Sequence, residues 1–84
     1  MNNKILVIVN VPMIEKEFDM YIPVVRRVGA IKNLIVKIVE ESSDGAFKDD
    51  GCKHLYYKSN GVVLDENQYV KQSDIKNGTR LVLY

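Results

Sequence analysis

The apolar residues of this chain change their spacing once, and that change limits the folds the chain can adopt. Over residues 5–11, and again over residues 16–22, apolar side chains recur at every second position, as they do on one face of a β-strand. Over residues 30–41 the spacing becomes about 3.6 residues, the period of an α-helix. We therefore expect two strands, joined by a reversal at residues 12–15, and then one amphipathic helix.

The rest of the chain predicts short strands rather than a second helix. Residues 55–58 alternate between inward and outward positions, and Asn60-Gly61 suits a tight turn into a returning strand at residues 62–64. Residues 79–84 predict the strand that closes the sheet. The expected fold is α+β in the order ββαβββ, with one main helix on a mixed sheet of four to five strands.

The start of the helix is open at this stage. Val24, Val25 and Val28 extend the apolar helical face backwards, whereas Gly29 costs about 1 kcal/mol of helix propensity relative to alanine. We favour a connecting loop over residues 24–28. After the helix, residues 42–53 predict a polar connection with Phe47 as its one apolar anchor.

The inward positions of these elements predict one shared core between helix and sheet. Its expected members are Ile5, Val7, Val9, Phe18, Met20, Ile31, Leu34, Ile35, Ile38, Tyr57, Leu64, Leu81 and Leu83. A chain of 84 residues provides one such core, so residues 1–84 are expected to form a single domain.

Composition narrows the possible partners and the compartment. Twelve basic and eleven acidic residues give a net charge of +1 without a basic stripe, so we expect no nucleic-acid binding. The apolar run at residues 5–9 is too short for a signal-peptide core or a membrane span. A lone cysteine, Cys52, suits a reducing compartment. A cytoplasmic protein without membrane insertion is expected.

Two clusters could be mistaken for chemical sites. Cys52 and His54 share one face of an extended segment, but no third group or oxyanion hole is signalled beside them. Asp44, Asp49 and Asp50 lie near glycines, yet the alternating ligands and closing glutamate of a calcium loop are missing. We interpret both clusters as solvated loop residues.

Asn77-Gly78 could also be mistaken for part of a phosphate-binding loop. The sequence contains no glycine-rich loop followed by lysine and serine or threonine, so this pair predicts a turn before the last strand. We therefore expect no catalytic, cofactor-binding or metal-binding residue, no cofactor, and no enzymatic activity.

The second half of the chain resembles ubiquitin-like domains, through Leu64-Asp65, Ile75, Asn77-Gly78 and the final strand. Within that superfamily the chain resembles the YukD/EsaB family, small bacterial proteins associated with type VII (ESAT-6-like) secretion in Gram-positive bacteria. The segments that carry this resemblance are FDMYIP at 18–23, IKNLI at 31–35, Gly61 with Leu64, and DIKNG at 74–78. It implies a ubiquitin-like β-grasp fold with Ile75 in the core.

The resemblance also implies a function. A cytosolic accessory or regulatory component of a type VII secretion system is expected, binding a protein such as a secretion-machine subunit, in an oligomeric state that the sequence leaves open. One alternative is a ubiquitin-like carrier or modifier, which the ending Leu83-Tyr84 in place of Gly-Gly disfavours. Another is a small scaffold subunit of an unrelated enzyme complex.

The sheet face opposite the helix is the expected partner-binding site, as it is in many ubiquitin-like proteins. In this topology the first and third strands flank the last one, which aligns several apolar side chains. The predicted patch is Leu6, Ile8, Tyr56, Lys58, Val82 and Tyr84. Single apolar groups on a surface have no significance, but several on adjacent strands indicate a binding surface.

Overall fold

The computed structural model describes residues 3–84, so the first two residues of the predicted domain lie outside the described part. The elements in this part are β1 (Lys4–Val11), β2 (Lys16–Pro23), α1 (Val28–Ser42), β3 (Leu55–Tyr57) and β4 (Thr79–Leu83), with short 3₁₀ helices at Pro12–Ile14 and Val70–Gln72. The predicted α+β class, with one main helix, is confirmed.

The sheet is mixed, with the strand order β2-β1-β4-β3. β1 runs antiparallel to β2 and parallel to β4, while β3 runs antiparallel to β4. The last strand therefore lies between the first and third strands, as predicted. Strands far apart in sequence become neighbours at its centre.

The reversal between β1 and β2 forms where the sequence predicts it. Pro12 begins a single 3₁₀ turn, and the N–H of Glu15 donates to the Pro12 carbonyl oxygen at 3.1 Å. Glu15 adopts a left-handed conformation with φ of 55°, which turns the chain back toward β1. The two long strands then pair along their whole length.

The helix begins at Val28, two residues earlier than predicted, so Val28 does not belong to the loop. A distant segment supplies the reason: the N–H of Val28 donates to the Gln68 carbonyl at 2.8 Å, and that of Gly29 to the Glu66 carbonyl at 2.9 Å. These bonds satisfy N–H groups that a helix leaves free at its start. A Cβ on residue 29 would lie 3.2 Å from the Glu66 carbonyl oxygen, so glycine fits this close approach.

One core joins α1 to the sheet, and most of its predicted members are confirmed. The buried apolar residues are Val7, Val9, Val11, Ile22, Val28, Ile31, Ile35, Val36, Val39, Phe47, Leu55, Leu64, Val70, Ile75, Leu81 and Leu83. The predicted members Ile5, Phe18, Met20 and Tyr57 are partly buried and pack against this cluster. Phe47 anchors the long loop after the helix, as predicted.

Two predicted core residues of the helix are wrong. Leu34 is 44% exposed, and Ile38 is only half-buried and lies outside the core cluster. The helix instead turns Val36 and Val39 toward the sheet. Apolar residues cover more than one side of this helix, so two overlapping stripes satisfy the helical period, and packing on the sheet selects between them.

The predicted returning strand at residues 62–64 is reduced to a single bridge between Tyr56 and Val63. The hairpin still makes two backbone hydrogen bonds, from the N–H of Tyr57 to the Val62 carbonyl and from the N–H of Leu64 to the Leu55 carbonyl, both at 2.9 Å. In the described residues the sheet therefore has four strands rather than five. None of the helices within residues 3–84 has the length and apolar character needed to cross a lipid bilayer.

Candidate protein-docking face of the sheet

The register of the strands places all six predicted residues on the sheet face opposite α1. In β1 the residues that alternate with buried Val7 and Val9 are Leu6 and Ile8, both half-buried. In β4 they are Arg80 and Val82, which flank buried Leu81. Successive side chains of a strand point to opposite faces of the sheet, so these alternate residues lie on one surface.

Four of the six residues, Tyr56, Lys58, Val82 and Tyr84, line one shallow apolar groove of about 400 Å³. Tyr57 and Gly61 complete its lining. Tyr56 pairs directly with Val82 across the β3–β4 ladder. Tyr84 is 69% exposed, and its backbone exchanges two hydrogen bonds with His54, at 3.0 and 3.1 Å. The groove therefore lies on backbone segments that are joined to each other by hydrogen bonds.

The other two residues, Leu6 and Ile8, are separated from this groove by charged side chains. Oε2 of Glu17 accepts a hydrogen bond from Nη1 of Arg80 at 3.3 Å, and Nζ of Lys58 lies 3.7 Å from the same oxygen. Glu17 belongs to β2 and Arg80 to β4, so their ion pair crosses β1. The face therefore has two apolar parts.

Exposed Tyr21 extends the second part. Tyr21 is 63% exposed and pairs with Leu6 in the β1–β2 register, so it stands beside Leu6 on the same face. The sequence analysis missed Tyr21, Glu17 and Arg80 as members of the face. The alternation of the strands does predict all three side chains outward, but only the strand order shows that Glu17 and Arg80 meet.

The loop cysteine and histidine have different partners. The N–H of Cys52 donates to Oδ1 of Asp50 at 2.9 Å, and this bond lowers the pKa of the Asp50 carboxyl below its ordinary value. Nδ1 of His54 lies 3.3 Å from Oε2 of Glu66. No hydrogen bond joins Cys52 to His54 within residues 3–84, so the pair is not arranged as a nucleophile and its base.

The acidic loop and the Asn77-Gly78 pair form turns. The N–H of Gly51 donates to Oδ1 of Asp49 at 2.9 Å, which makes that carboxylate part of a local turn. Gly78 has a φ of 89°, and residues 77–78 lead directly into β4. The predicted turn before the last strand is confirmed.

Glu66 contacts two basic side chains away from the sheet face. Its Oε2 accepts from Nζ of Lys32 at 3.0 Å and lies 3.3 Å from the ring of His54. The hydrogen bond from Lys32, followed by that from His54, lowers the pKa of the Glu66 carboxyl. This contact joins α1 to the segment that precedes β3.

Comparison with solved structures then decides the fold family. The chain superimposes on the ubiquitin-like domain of the Mycobacterium tuberculosis type VII secretion system protein ECCD1 with a TM-score of 0.74, at 14% identity, over 99% of this chain and 98% of that one. The fold is ubiquitin-like. A ubiquitin-like domain of an Arabidopsis thaliana protein gives a TM-score of 0.72 at 25% identity, covering 99% of this chain and 78% of that one.

This ubiquitin-like domain also resembles part of a larger protein. It superimposes on a chain of the MycP5-free ESX-5 inner membrane complex with a TM-score of 0.84 at 16% identity, covering 99% of this domain. The domain spans only 21% of that chain's length. No family model matches the sequence, and no curated protein matches it significantly.

Proposed function

We propose that this protein is a non-enzymatic ubiquitin-like interaction module that docks a protein partner through its exposed sheet face. The observation that carries the proposal is the groove of Tyr56, Lys58, Val82 and Tyr84, in which two tyrosines flank an apolar floor. Tyrosine side chains bury a large area at a low cost in conformational entropy, and they are enriched among the residues that dominate binding energy. Lys58 supplies a charged rim, as in many transient interfaces.

The strand scaffold favours this groove as a binding site. Val82 belongs to the central strand β4 and is held between β1 and β3, so the floor of the groove is rigid. A rigid site loses less side-chain freedom when a partner binds. The Glu17–Arg80 ion pair borders the groove on one side and favours partners that present polar groups there.

We further propose that the partner belongs to a type VII secretion system and that the protein acts in the cytoplasm as an accessory or regulatory component. Two observations support this step. Structural neighbours include the ubiquitin-like domain of a type VII secretion system protein and a chain of an ESX-5 inner membrane complex. Four sequence segments also resemble the YukD/EsaB family. The structural likeness, at 14% and 16% identity, supports the fold, and the resemblance to YukD/EsaB supports the secretion role.

A photocrosslinking experiment in the native cell tests both parts. A benzophenone amino acid at position 84 should crosslink one or a few proteins, among them a subunit of the secretion membrane complex identified by mass spectrometry. The Tyr56→Asp, Val82→Ser double variant should lose these crosslinks while circular dichroism shows native structure. Both substituted side chains point away from the core, so the fold is expected to survive.

The matched control is Val25→Asp with Met13→Ser, two exposed positions outside the strands of the sheet face. This variant should retain the crosslinks. If the groove variant retains them as well, the docking face lies elsewhere. If the groove variant loses them but no secretion subunit is among the crosslinked proteins, the interaction face stands and the secretion assignment is wrong.

A further inference from the structure

The strand β2 forms an uncovered edge of the sheet. Within the described residues its one neighbour is β1, whereas the outer side of β3 is covered by the hairpin return that includes Val62 and Leu64. An eight-residue strand with outward-facing N–H and C=O groups can pair with another strand.

Apolar side chains beside this edge are incompletely covered. Phe18 and Met20 have the parity of core-facing residues, yet both are only half-buried. Their partners on β1, Val9 and Val7, are fully buried. On the helix, Leu34 is 44% exposed and lines a groove of about 400 Å³ between α1 and the end of β2. The apolar interior is thus open along one side, from the strand edge up to the helix.

The β1–β2 ladder decides which backbone groups of the edge face outward. The N–H of Val24 donates to the Asn3 carbonyl at 2.9 Å, and residues of an antiparallel strand alternate between facing the partner strand and facing away from it. The N–H and C=O groups of Glu17, Asp19 and Tyr21 therefore face away from β1. If β2 pairs antiparallel with β2 of a second copy, these residues must lie opposite one another, because only they can exchange hydrogen bonds across the edge.

Charge selects one register among these two-fold pairings. A pairing centred on Asp19 places two carboxylates directly opposite each other, and pairings shifted toward the start of β2 also oppose acidic residues, which is destabilising. A shift toward the end shortens the paired segment and centres it near Pro23, which has no N–H. The pairing centred on Met20 avoids both faults, because Asp19 then lies opposite Tyr21 of the second copy.

The two-fold axis of this register passes beside the middle of α1. Lys16, at the start of β2, lines one cavity with Ser43, and Pro23, at its end, lines another with residues of the first two turns of the helix. The helix therefore runs antiparallel to β2, and Met20 lies level with the middle of α1, where Leu34 is. The exposed Leu34 side chains of two copies then border one continuous groove over the seam.

Charged groups at the two ends of the helix are complementary in this arrangement. A two-fold rotation reverses the helix, so Arg26, just before α1, faces Glu41 of the second copy, which follows Lys37 by one turn on the same side. Within residues 3–84 neither Arg26 nor Glu41 forms an ion pair. Lys37 lies one turn from the axis, so it is not brought against its own counterpart.

We propose that β2 pairs with β2 of a second copy of this chain, in an antiparallel two-fold dimer that is centred on Met20 and has one sheet of eight strands. Backbone hydrogen bonds between Asp19 and Tyr21 join the two edges on both sides of the axis, and Phe18 packs against Ile22 of the second copy. The contact surface is small, so we expect a weak, concentration-dependent dimer. The dimer leaves the groove proposed above as the docking site open.

A dilution series of the isotope-labelled protein tests the proposal, from about 1 mM, where weak interfaces are populated, to about 20 µM. The amide signals of Asp19 and Tyr21 and the methyl signals of Met20 and Leu34 should shift with concentration, while those of Val82 should not. Analytical ultracentrifugation over the same range should show the mass rising from one chain toward two.

Cysteine crosslinking tests the register. In a Cys52→Ser background, which removes the native thiol, Met20→Cys should form a disulfide-linked dimer in the presence of oxidised glutathione. Residue 20 lies opposite its counterpart in a non-hydrogen-bonded pair, with Cβ atoms about 4.5 to 5.5 Å apart. Asp19→Cys in the same background is the matched control. It should crosslink at least about fivefold more slowly, because residue 19 is only diagonal to its counterpart.

Charge exchange tests the relative direction of the helices. Arg26→Glu alone and Glu41→Arg alone should each weaken self-association by about fivefold or more, because like charges then face each other at both ends of the seam. An equimolar mixture of the two variants should associate as well as the parent protein, since their heterodimer has opposite charges at both ends. The Tyr56→Asp, Val82→Ser variant should dimerise normally, so failure of either proposal is recognised separately.

Three results would overturn the inference. One is a constant mass of one chain, with unchanged β2 signals, up to about 1 mM. Another is faster crosslinking at residue 19 than at residue 20, which would indicate a different pairing. The third is a set of concentration-dependent shifts centred on Val82 and Tyr84, which would mean that two copies meet through the docking groove instead.

Discussion

The backbone N–H of Leu6 donates to Oδ1 of Asn77 at 2.8 Å, across a separation of 71 residues. The next residue completes the contact, because the N–H of Gly78 donates to the Leu6 carbonyl oxygen at 2.7 Å. The Asn77 side chain thus stands where a backbone carbonyl would continue the parallel pairing of β1 with β4, just before that ladder begins at Val7 and Thr79. This contact fixes the register of the two central strands.

Asn77→Ala should therefore lower the free energy of unfolding by about 1 kcal/mol, the typical contribution of one hydrogen bond. Asn77→Asp keeps an acceptor oxygen of the same geometry and is the matched control, which should lose less. Urea denaturation followed by circular dichroism gives both values. Equal losses in the two variants would show that the acceptor oxygen at residue 77 is unimportant.

The sequence predicts two adjacent helix residues, Leu34 and Ile35, in the core, and the structure buries only Ile35. Ile35 is fully buried, so Ile35→Ala should cost about 2 to 5 kcal/mol in the free energy of unfolding. Leu34 is 44% exposed, so Leu34→Ala should cost less than about 1 kcal/mol. Chemical denaturation of both variants checks which face of α1 packs on the sheet. Comparable losses of unfolding free energy in the two variants would contradict the observed orientation of the helix.

Glu66→Gln should destabilise the protein at neutral pH, because it removes the carboxylate charge that pairs with Lys32. The folded state lowers the pKa of this carboxyl, so its contribution to stability is present above its unfolded pKa and is lost as the pH falls through the lowered folded value. The stability difference between the protein and the variant should therefore shrink at acidic pH.

Denaturation midpoints measured from neutral to acidic pH test that dependence. Glu41→Gln, at an exposed position of α1, is the control and should show a smaller difference at neutral pH. A stability difference for Glu66→Gln that stays constant across this pH range would mean that ionisation of Glu66 does not matter to folding.

Phe47 fixes the long loop between α1 and β3. Its side chain is only 2% exposed, and its N–H donates to Oγ of Ser43 at 3.0 Å. Phe47→Ala should lower the free energy of unfolding by about 3 to 5 kcal/mol and make the loop more sensitive to limited proteolysis. Lys48→Ala, one residue further along and exposed, should change neither property.

Much of the local structure follows from the sequence. The alternation in residues 5–11 and 16–22 predicts β1 and β2 and their inward faces, because neighbouring side chains of a strand point to opposite sides whatever the strand packs against. Asn60-Gly61 and Asn77-Gly78 predict turns for an equally local reason, since Gly61 and Gly78 both adopt positive φ angles. The outward positions of Tyr56 and Val82 follow from the same parity.

Three features depend on the tertiary structure. The helix begins at Val28 because carbonyl groups of residues 66 and 68 accept its first N–H bonds. Its buried stripe includes Val39 rather than Leu34 because the orientation of the helix on the sheet selects one of two apolar stripes. The candidate docking face is divided because Glu17 and Arg80, 63 residues apart in sequence, meet across β1.

The physical distinction is one of range. Backbone period, turn conformation and side-chain parity are set by a few neighbouring residues, so the sequence by itself determined β1, β2, β3 and β4, the turns, and which side chains of these strands face outward. Contacts between segments distant in the chain set the first residue of the helix, the helix face that packs on the sheet, and the Glu17–Arg80 ion pair across β1. Only the packed sheet and helix decide which of these compatible contacts form.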